Sequence, residues 1–364
     1  MSEQHLIPPQ HGNERQAIFD FSIRLLKEVA DDQENIVISP VSTLLNLVVP
    51  LFYARGNTLA QMTKVIGIDA GKLFWELYAS TDFNLVWLLD MFSQFLKGDS
   101  SGVSHEDDLQ YISTIMEHLP SADDHFSRLY KENYKRRSCD SNELQLLINE
   151  FSFSANLRQN HFIYDIDVDI DVLNGWRKPV YNNFQINEIG KSYKDYSAHG
   201  FACAYEPSRY SFVLLEPNKD ISIDEYIDSL SSEHLLRILS CAEASNISPE
   251  IPEFGIKTEI DLQFHLKNMG ITDAFDRSNA DFSGIDFLTE KHRELFIQCF
   301  NQHCVLGMDK SSGSYAGATT NLTTGKPEKS ILSTCEIKPV GRQFLFRIID
   351  TLLLHPLFIG VVRK

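Results

Sequence analysis

No run of this 364-residue chain stays apolar for long enough to cross a bilayer. The longest, Leu44–Ala54, is broken by Asn46 and Pro50 and falls well short of the roughly 20 residues a spanning helix needs. The N-terminus, MSEQHLIPPQHGNERQ, lacks the basic start and apolar stretch of a secretory signal. A cytoplasmic protein is therefore expected, or one that leaves the cell by a signal-independent route. Positive charge is scarce. There are 33 Lys and Arg against 50 Asp and Glu, a net charge of −17, which argues against nucleic acid or an anionic membrane as partner. The six cysteines include no C-x-x-C pair and mostly sit in apolar stretches, so reduced structural thiols are expected, with Cys335 the most exposed. Catalytic fingerprints are missing as well: there is no G-x-S-x-G, H-E-x-x-H, P-loop or dinucleotide motif, and the 12 His are scattered. His105-Glu-Asp-Asp has no partner at ligand spacing and reads as a solvated turn. No enzyme activity, metal or cofactor is expected.

What the chain does have is an unusual stretch from Asp309 to Ser333, DKSSGSYAGATTNLTTGKPEKSILS. It lies between two apolar runs that read as buried strands, Cys304–Met308 and Phe344–Ile349. From Gly313 to Gly325 nearly every residue is small. One reading is a solvated surface loop, since Gly, Ser, Asn and Thr favour turns. The other is a strand. At a two-residue period, one face carries Ser314, Ala316, Ala318, Thr320, Leu322 and Thr324, and the other Tyr315, Gly317, Thr319, Asn321, Thr323 and Gly325. The first face is small and uncharged and fits under a sheet. The segment is suited to live first as a loop and later as a buried strand.

Along the chain, residues 1–12 read as disordered. A helix is expected from about Asn13, with Ile18, Phe21, Leu25 and Val29 at helical spacing. A short strand follows at Asn35–Ile38, then a helix from Ser39-Pro40 that Pro50 kinks and Gly56 stops. Thr58-Leu-Ala-Gln61 suggests a capping box for a third helix, closed by Gly67. Trp75–Leu96 is helix-like, Lys97–Asp108 a polar loop, Leu144–Phe153 a buried strand and Ile163–Val172 an edge strand. Further strands are expected at Phe201–Tyr205 and Ser211–Pro217, with one helix over Ile223–Leu239.

Several of these segments resemble the serpins. NIVISPVSTLLNLVVPLFYARGNTLAQMTKVIG, Asn35–Gly67, is similar to the N-terminal serpin signature. Leu144–Phe153 resembles the central-sheet strand, with Asn149 at the Asn of that motif and Leu157 near the place of the family's Trp. SFVLLEP (Ser211–Pro217), IPEFGIKTE (from Ile251), LKNMGITDAF (ending at Phe275), Asn279–Ile285 and the terminal Pro356–Val362 continue the likeness in order, over about two thirds of the chain. The resemblance implies a divergent serpin of the intracellular type. The fold is then α+β: about nine helices around three β-sheets, a large central sheet, and an exposed reactive-centre loop at about 309–336, all in a single domain over 13–364.

By the same resemblance Gly313, Ser314, Ala316, Gly317, Ala318, Thr319 and Thr320 form the loop's hinge, and Ser39 and Asn149 the shutter of the central sheet. Tyr315 stands where the hinge has Glu, and Lys310-Ser311-Ser312 lacks the usual acids. His303 resembles a structural family His rather than a base. The implied activity is inhibition of a serine protease, which attacks the loop, forms an acyl-enzyme and is trapped as the cut loop enters the central sheet. The inhibitor acts as a monomer and needs no cofactor. The reactive bond is read as Lys329–Ser330, which suits a trypsin-like partner, with Leu332–Ser333 as the alternative for a chymotrypsin or cathepsin G type. Pro327 excludes a cut after Lys326, and a cut after Leu332 would carry Pro327 deep into the inserting strand. The family spacing from Gly313 lands near Pro327, short of both bonds. The departures at Tyr315 and 310–312 keep open a non-inhibitory serpin acting as chaperone or carrier.

Overall fold

The computed structural model describes residues 12–30, 35–80, 145–157, 163–166, 183–186, 188–206, 209–241, 243–247, 250–284, 296–309, 313–323, 342–351, 353 and 355–363. Helix α1 (Gly12–Ala30) opens one residue inside the stretch expected to be disordered. It buries Ile18, Phe21, Leu25 and Val29, the predicted stripe. Strand β1 (Ile36–Ile38) leads into α2 (Pro40–Tyr53), whose N-cap is Ser39 with Pro at the first turn. Pro50 does not end α2, and the helix stops at Ala54 rather than at Gly56. Its burial among apolar neighbours outweighs the hydrogen bond lost at proline.

Helix α3 (Gly56–Ile66) corrects the expected capping box. Its N-cap is Arg55, with no side-chain cap, and Thr58 and Gln61 lie inside the helix. Both side chains are used in tertiary contacts instead. Thr58 Oγ1 accepts from the Asp281 amide, and Gln61 Oε1 accepts from the amides of Thr272 and Asp273. Gly67 does close the helix, in the left-handed conformation at φ 88°. Helix α4 spans Ala70–Ser80; the expected helix and loop beyond it, to Asp108, lie outside the described residues.

The strands that follow are β2 (Gln145–Leu157), β3 (Ile163–Ile166), β4 (Asn183–Ile186), β5 (Glu188–Lys194), β6 (Ala198–Glu206) and β7 (Tyr210–Pro217). The single helix expected over 223–239 is two helices, α5 (Ile223–Ser229) and α6 (Ser232–Cys241). Leu230 between them is extended, and Ser231 Oγ accepts from the His234 amide to start the second. Serines that cap more readily than they continue a helix account for the break. Strands β8 (Glu243–Ile247), β9 (Glu250–Pro252) and β10 (Phe254–Asp261) precede α7 (Leu262–Met269). The chain closes with β11 (Cys299–Asp309), β12 (Gly313–Thr323), β13 (Phe344–Asp350) and β14 (Pro356–Val362).

The strands form one long path, β1-β14-β13-β7-β6-β2-β12-β11-β10, with β5 and β8 attached beside β6, and a separate sheet β3-β4-β9. Among the described residues β3 lies at an edge of that sheet and covers the first part of the expected edge strand, whose remainder, 167–172, lies outside them. Among the described residues β2 meets β6 at Asn156↔Glu206 and Leu157↔Tyr205. That short junction divides the path into a central part, β2-β12-β11-β10, and a second sheet running from β1 to β8, which with β3-β4-β9 makes three sheets among the described residues. β13 and β14 are buried along their whole length, which is the pattern of strands covered on both faces. Phe344 and Phe346 of β13 meet Phe254 of β10, at 5.5 and 5.2 Å between ring centroids. The two larger sheets thus share one core.

Two consequences can be measured. Gly360 lies where a Cβ would strike the Ile36 carbonyl oxygen and the Phe346 ring, so Gly360→Ala should lower stability by about 1–3 kcal/mol, read as a shifted urea midpoint. An unchanged midpoint would show that β14 has room to spare. His355 is fully buried in the turn before β14. Desolvation first, and the Arg15 charge second, hold its pKa down at about 3. Glu76 Oε2, 3.8 Å away, would favour the imidazolium, but it also lies 3.7 Å from Arg15, and burial dominates. The folded pKa is below the unfolded value of 6.5. Stability is therefore complete above about pH 6.5 and drains as pH falls toward 3, by up to ~1.4 kcal/mol per pH unit. His355→Gln should flatten that part of the stability–pH curve, whereas an unaltered slope would assign the acid sensitivity elsewhere.

Candidate functional site

The segment that the sequence left open between loop and strand is a strand here. β12 lies in the middle of the central sheet. All eleven of its residues pair antiparallel with β11, from Asp309↔Gly313 to Cys299↔Thr323. Its other edge pairs antiparallel with β2, from Ser314↔Ala155 to Thr323↔Gln145, with one irregularity at Leu322/Thr323. Gly313, Ser314, Ala316, Gly317, Ala318, Thr319 and Thr320 are thus consecutive parts of one ladder. The predicted inward face is confirmed at Ala316, Ala318 and Thr320, all buried. Their small volume is what lets β12 lie over α2 between longer buried neighbours, Leu306, Cys304 and Phe300 of β11.

At Thr320 the buried face turns polar. Gln302 of β11 sits opposite it, and Asn149 of β2 is its partner on the other side. Gln302 Oε1 accepts from the Ser39 amide at 2.9 Å. Its Nε2 is shared among Ser39 O, Thr43 Oγ1 and Thr320 Oγ1, at 2.9, 3.1 and 3.0 Å. The Ser42 and Thr320 hydroxyls are 2.7 Å apart. Asn46 Nδ2 donates to the Thr320 carbonyl at 3.2 Å and to Ser42 O at 3.4 Å. Ser39 Oγ accepts from the Ser42 amide and donates to Leu357 O, which ties the start of α2 to β14. Ser39, Ser42, Thr43, Asn46, Gln302 and Thr320 are all fully buried.

This slot is neutral. Among its described side chains there is no acid, base or activated nucleophile. Burial pushes the neighbouring Cys304 thiol far up, so it stays protonated and inert. His303 lies beside the strand, in β11. It alternates to the opposite face from Gln302, near Glu259 with its Nε2 3.7 Å from Oε1. Gln302 of β11 bonds to Ser39 and Thr43 at the start of α2.

Of the predicted site residues, Thr320 and Ser39 meet at this slot, with Asn149 opposite Thr320 in the ladder, while Gly313, Ser314, Ala316, Gly317, Ala318 and Thr319 lead away from it along β12. Lys329, Ser330, Leu332 and Ser333 lie outside the described residues, as do Lys310–Ser312 and Cys335. Sequence reasoning missed Ser42, Thr43, Asn46 and Gln302. The first three carry a signal: with Ser39 they place polar residues at i, i+3, i+4 and i+7 along an otherwise apolar helix, a polar stripe aimed at something buried. Gln302 carries none, because one Gln in a strand reads as solvent-facing.

The family model for "Serpin (serine protease inhibitor)" matches residues 16–151 and 131–364. Human Serpin B9 is 22% identical over 82% of this chain and 86% of its own length. Intracellular coagulation inhibitor 2 of Tachypleus tridentatus is 21% identical over 97% of this chain and 91% of its own. Among solved structures, the thermophilic serpin Tengpin in its latent state matches 99% of both chains at 23% identity, with a TM-score of 0.67. The sheet order, the slot and the family match over nearly the whole sequence lead to one conclusion: this chain belongs to the serpin family.

Proposed function

We propose that this serpin inhibits serine proteases by offering its loop as a substrate and trapping the acyl-enzyme when the cut loop enters the central sheet. The observation that carries this reading is the fit of Gly313–Thr323 as a full-length central strand. β2 and β11 are both antiparallel to β12, so they run parallel to each other. With β12 outside the sheet, these neighbours would face each other as a parallel pair, which is slightly weaker per residue. Insertion replaces that junction with two antiparallel ladders and buries Ala316, Ala318 and Thr320. The loop-out form is then held by a kinetic barrier rather than by equilibrium.

The protease serine attacks the carbonyl of Lys329, the Ser330 amine leaves, and an ester joins the inhibitor to the enzyme. Leu332–Ser333 is the alternative bond. A Lys side chain suits an acidic specificity pocket of trypsin type, a Leu an apolar one of chymotrypsin or cathepsin G type. The inhibitor works as one domain over 13–364, with the loop at about 309–336, as a monomer in the cytoplasm and without enzyme activity of its own. Insertion uses up the loop, so the arrangement with β12 already in the sheet is the spent form. Inhibition belongs to the form with the loop outside.

The test is to mix freshly folded protein with trypsin, chymotrypsin and cathepsin G, and to follow the products by denaturing gel and mass spectrometry. The expected result is a stable band at the summed mass and a released peptide beginning at Ser330. A peptide beginning at Ser333 would move the bond. Clean cleavage by all three enzymes with no stable complex would contradict inhibition and favour a carrier or chaperone.

A further inference from the structure

Strand β13 carries a positive charge at its centre, and that charge has no counterpart. Arg347 is fully buried, flanked in the sheet by Val213 of β7 and Ile359 of β14. By strand alternation it faces away from Phe344 and Phe346. The Phe19 ring of α1 lies over its guanidinium, 5.8 Å from Cζ to the centroid. Nε, Nη1 and Nη2 all lack a hydrogen-bond partner. The Tyr226 hydroxyl of α5 is buried and lacks one as well. The two groups act on each other electrostatically, so they belong to one buried region.

The nearby acids are committed elsewhere. Asp350, further along β13 and on its opposite face, bonds to Arg209 at 2.8 and 2.9 Å and accepts from the Leu353 amide at 3.2 Å. Asp195, whose charge reaches Tyr226, accepts from Tyr193, Ser197 and Ala198 and lies 2.9 Å from His234 Nε2. Burial lowers the Arg347 pKa to about 10, so the guanidinium stays charged at neutral pH. Burial also pushes the Tyr226 phenol up, so it keeps its proton and can donate. The contact with Phe19 offsets part of the cost of desolvating the charge and leaves the rest. A guanidinium donates and never accepts. Water would meet these donors with no charge and with donors of its own, whereas a small anion brings acceptors and the opposite charge together.

We propose that Arg347 and Tyr226 form an internal anion site, which takes one small monovalent inorganic ion of the size of chloride between β13 and the helices α1 and α5. The guanidinium supplies charge and directed N–H groups, and the phenol adds an O–H from the helix side. Neither group is exposed in the folded chain, so the ion is taken up as the chain folds. An ion that binds the folded chain and not the unfolded one stabilises it by mass action. Stability then follows chloride in particular rather than salt in general. The site is independent of loop insertion and of inhibition, because neither residue belongs to β12 or to the slot beneath it.

Bromide replaces chloride and is visible by anomalous diffraction. Crystals of the full chain grown in sodium bromide should show an anomalous peak within hydrogen-bond reach of both the Arg347 guanidinium and the Tyr226 hydroxyl. Ordered water there, with no anomalous peak, would overturn the site. In solution, urea unfolding is followed as chloride replaces gluconate at constant ionic strength. The unfolding constant of the wild type should fall about tenfold for each tenfold rise in chloride beyond half-saturation. Tyr226→Phe keeps the ring and the guanidinium, and should need about tenfold more chloride for the same effect, the loss of one hydrogen bond to a charged group. Arg347→Met should respond to chloride no more than to gluconate. If Arg347→Met fails to fold, Tyr226→Phe and the bromide map decide. A wild type that does not distinguish chloride from gluconate, or a chloride response identical in wild type and Tyr226→Phe, would contradict the proposal.

Discussion

The fold depends on two strands that run the same way and are kept one strand apart. β11 pairs along the whole of β12 and β2 from Ser314 to Thr323, both antiparallel to it. On the proposed reading such a sheet has two forms, one with the strand in and one with it out, and insertion adds Ala316 and Ala318 to the core that holds Phe254, Phe344 and Phe346. A protein can then fold to the less stable form and hold the difference in reserve.

The polar slot under the middle of β12 is the natural complement to that arrangement. Ser42, Asn46 and Gln302 meet Thr320 there with hydrogen-bonding groups rather than apolar ones, and Ser39 ties the start of α2 to Leu357 in β14. The same network links the slot to β14 through the bond from Ser39 to Leu357. On the proposed insertion reading, the slot groups need other partners whenever β12 is outside the sheet.

Much of this was legible in the sequence. The two-residue pattern from Ser314 to Leu322 identified the face that Ala316, Ala318 and Thr320 bury, and the helical stripe of α1 and the Gly67 terminus were found at their places. These are local signals with a single physical meaning. The failures came where a side chain served a distant partner. Thr58 and Gln61 have the spacing of a cap but bond to residues near 272 and 281. Gln302 is one polar residue in a strand, and only the position of α2 beneath it reveals its role. The Ser231-Ser232 break shows the same limit, since capping split a helix that periodicity joined. The reactive bond is a question of partner chemistry, which residue spacing on one chain leaves open.

The central claim is that Gly313–Thr323 passes from loop to central strand. Amide hydrogen exchange across this segment tests it most directly, measured on freshly folded protein and again after the loop is cut. The account predicts fast exchange before cleavage and strong protection afterwards, spread over the whole segment because both edges of the strand become paired. Amides that stay unprotected after cleavage would contradict it.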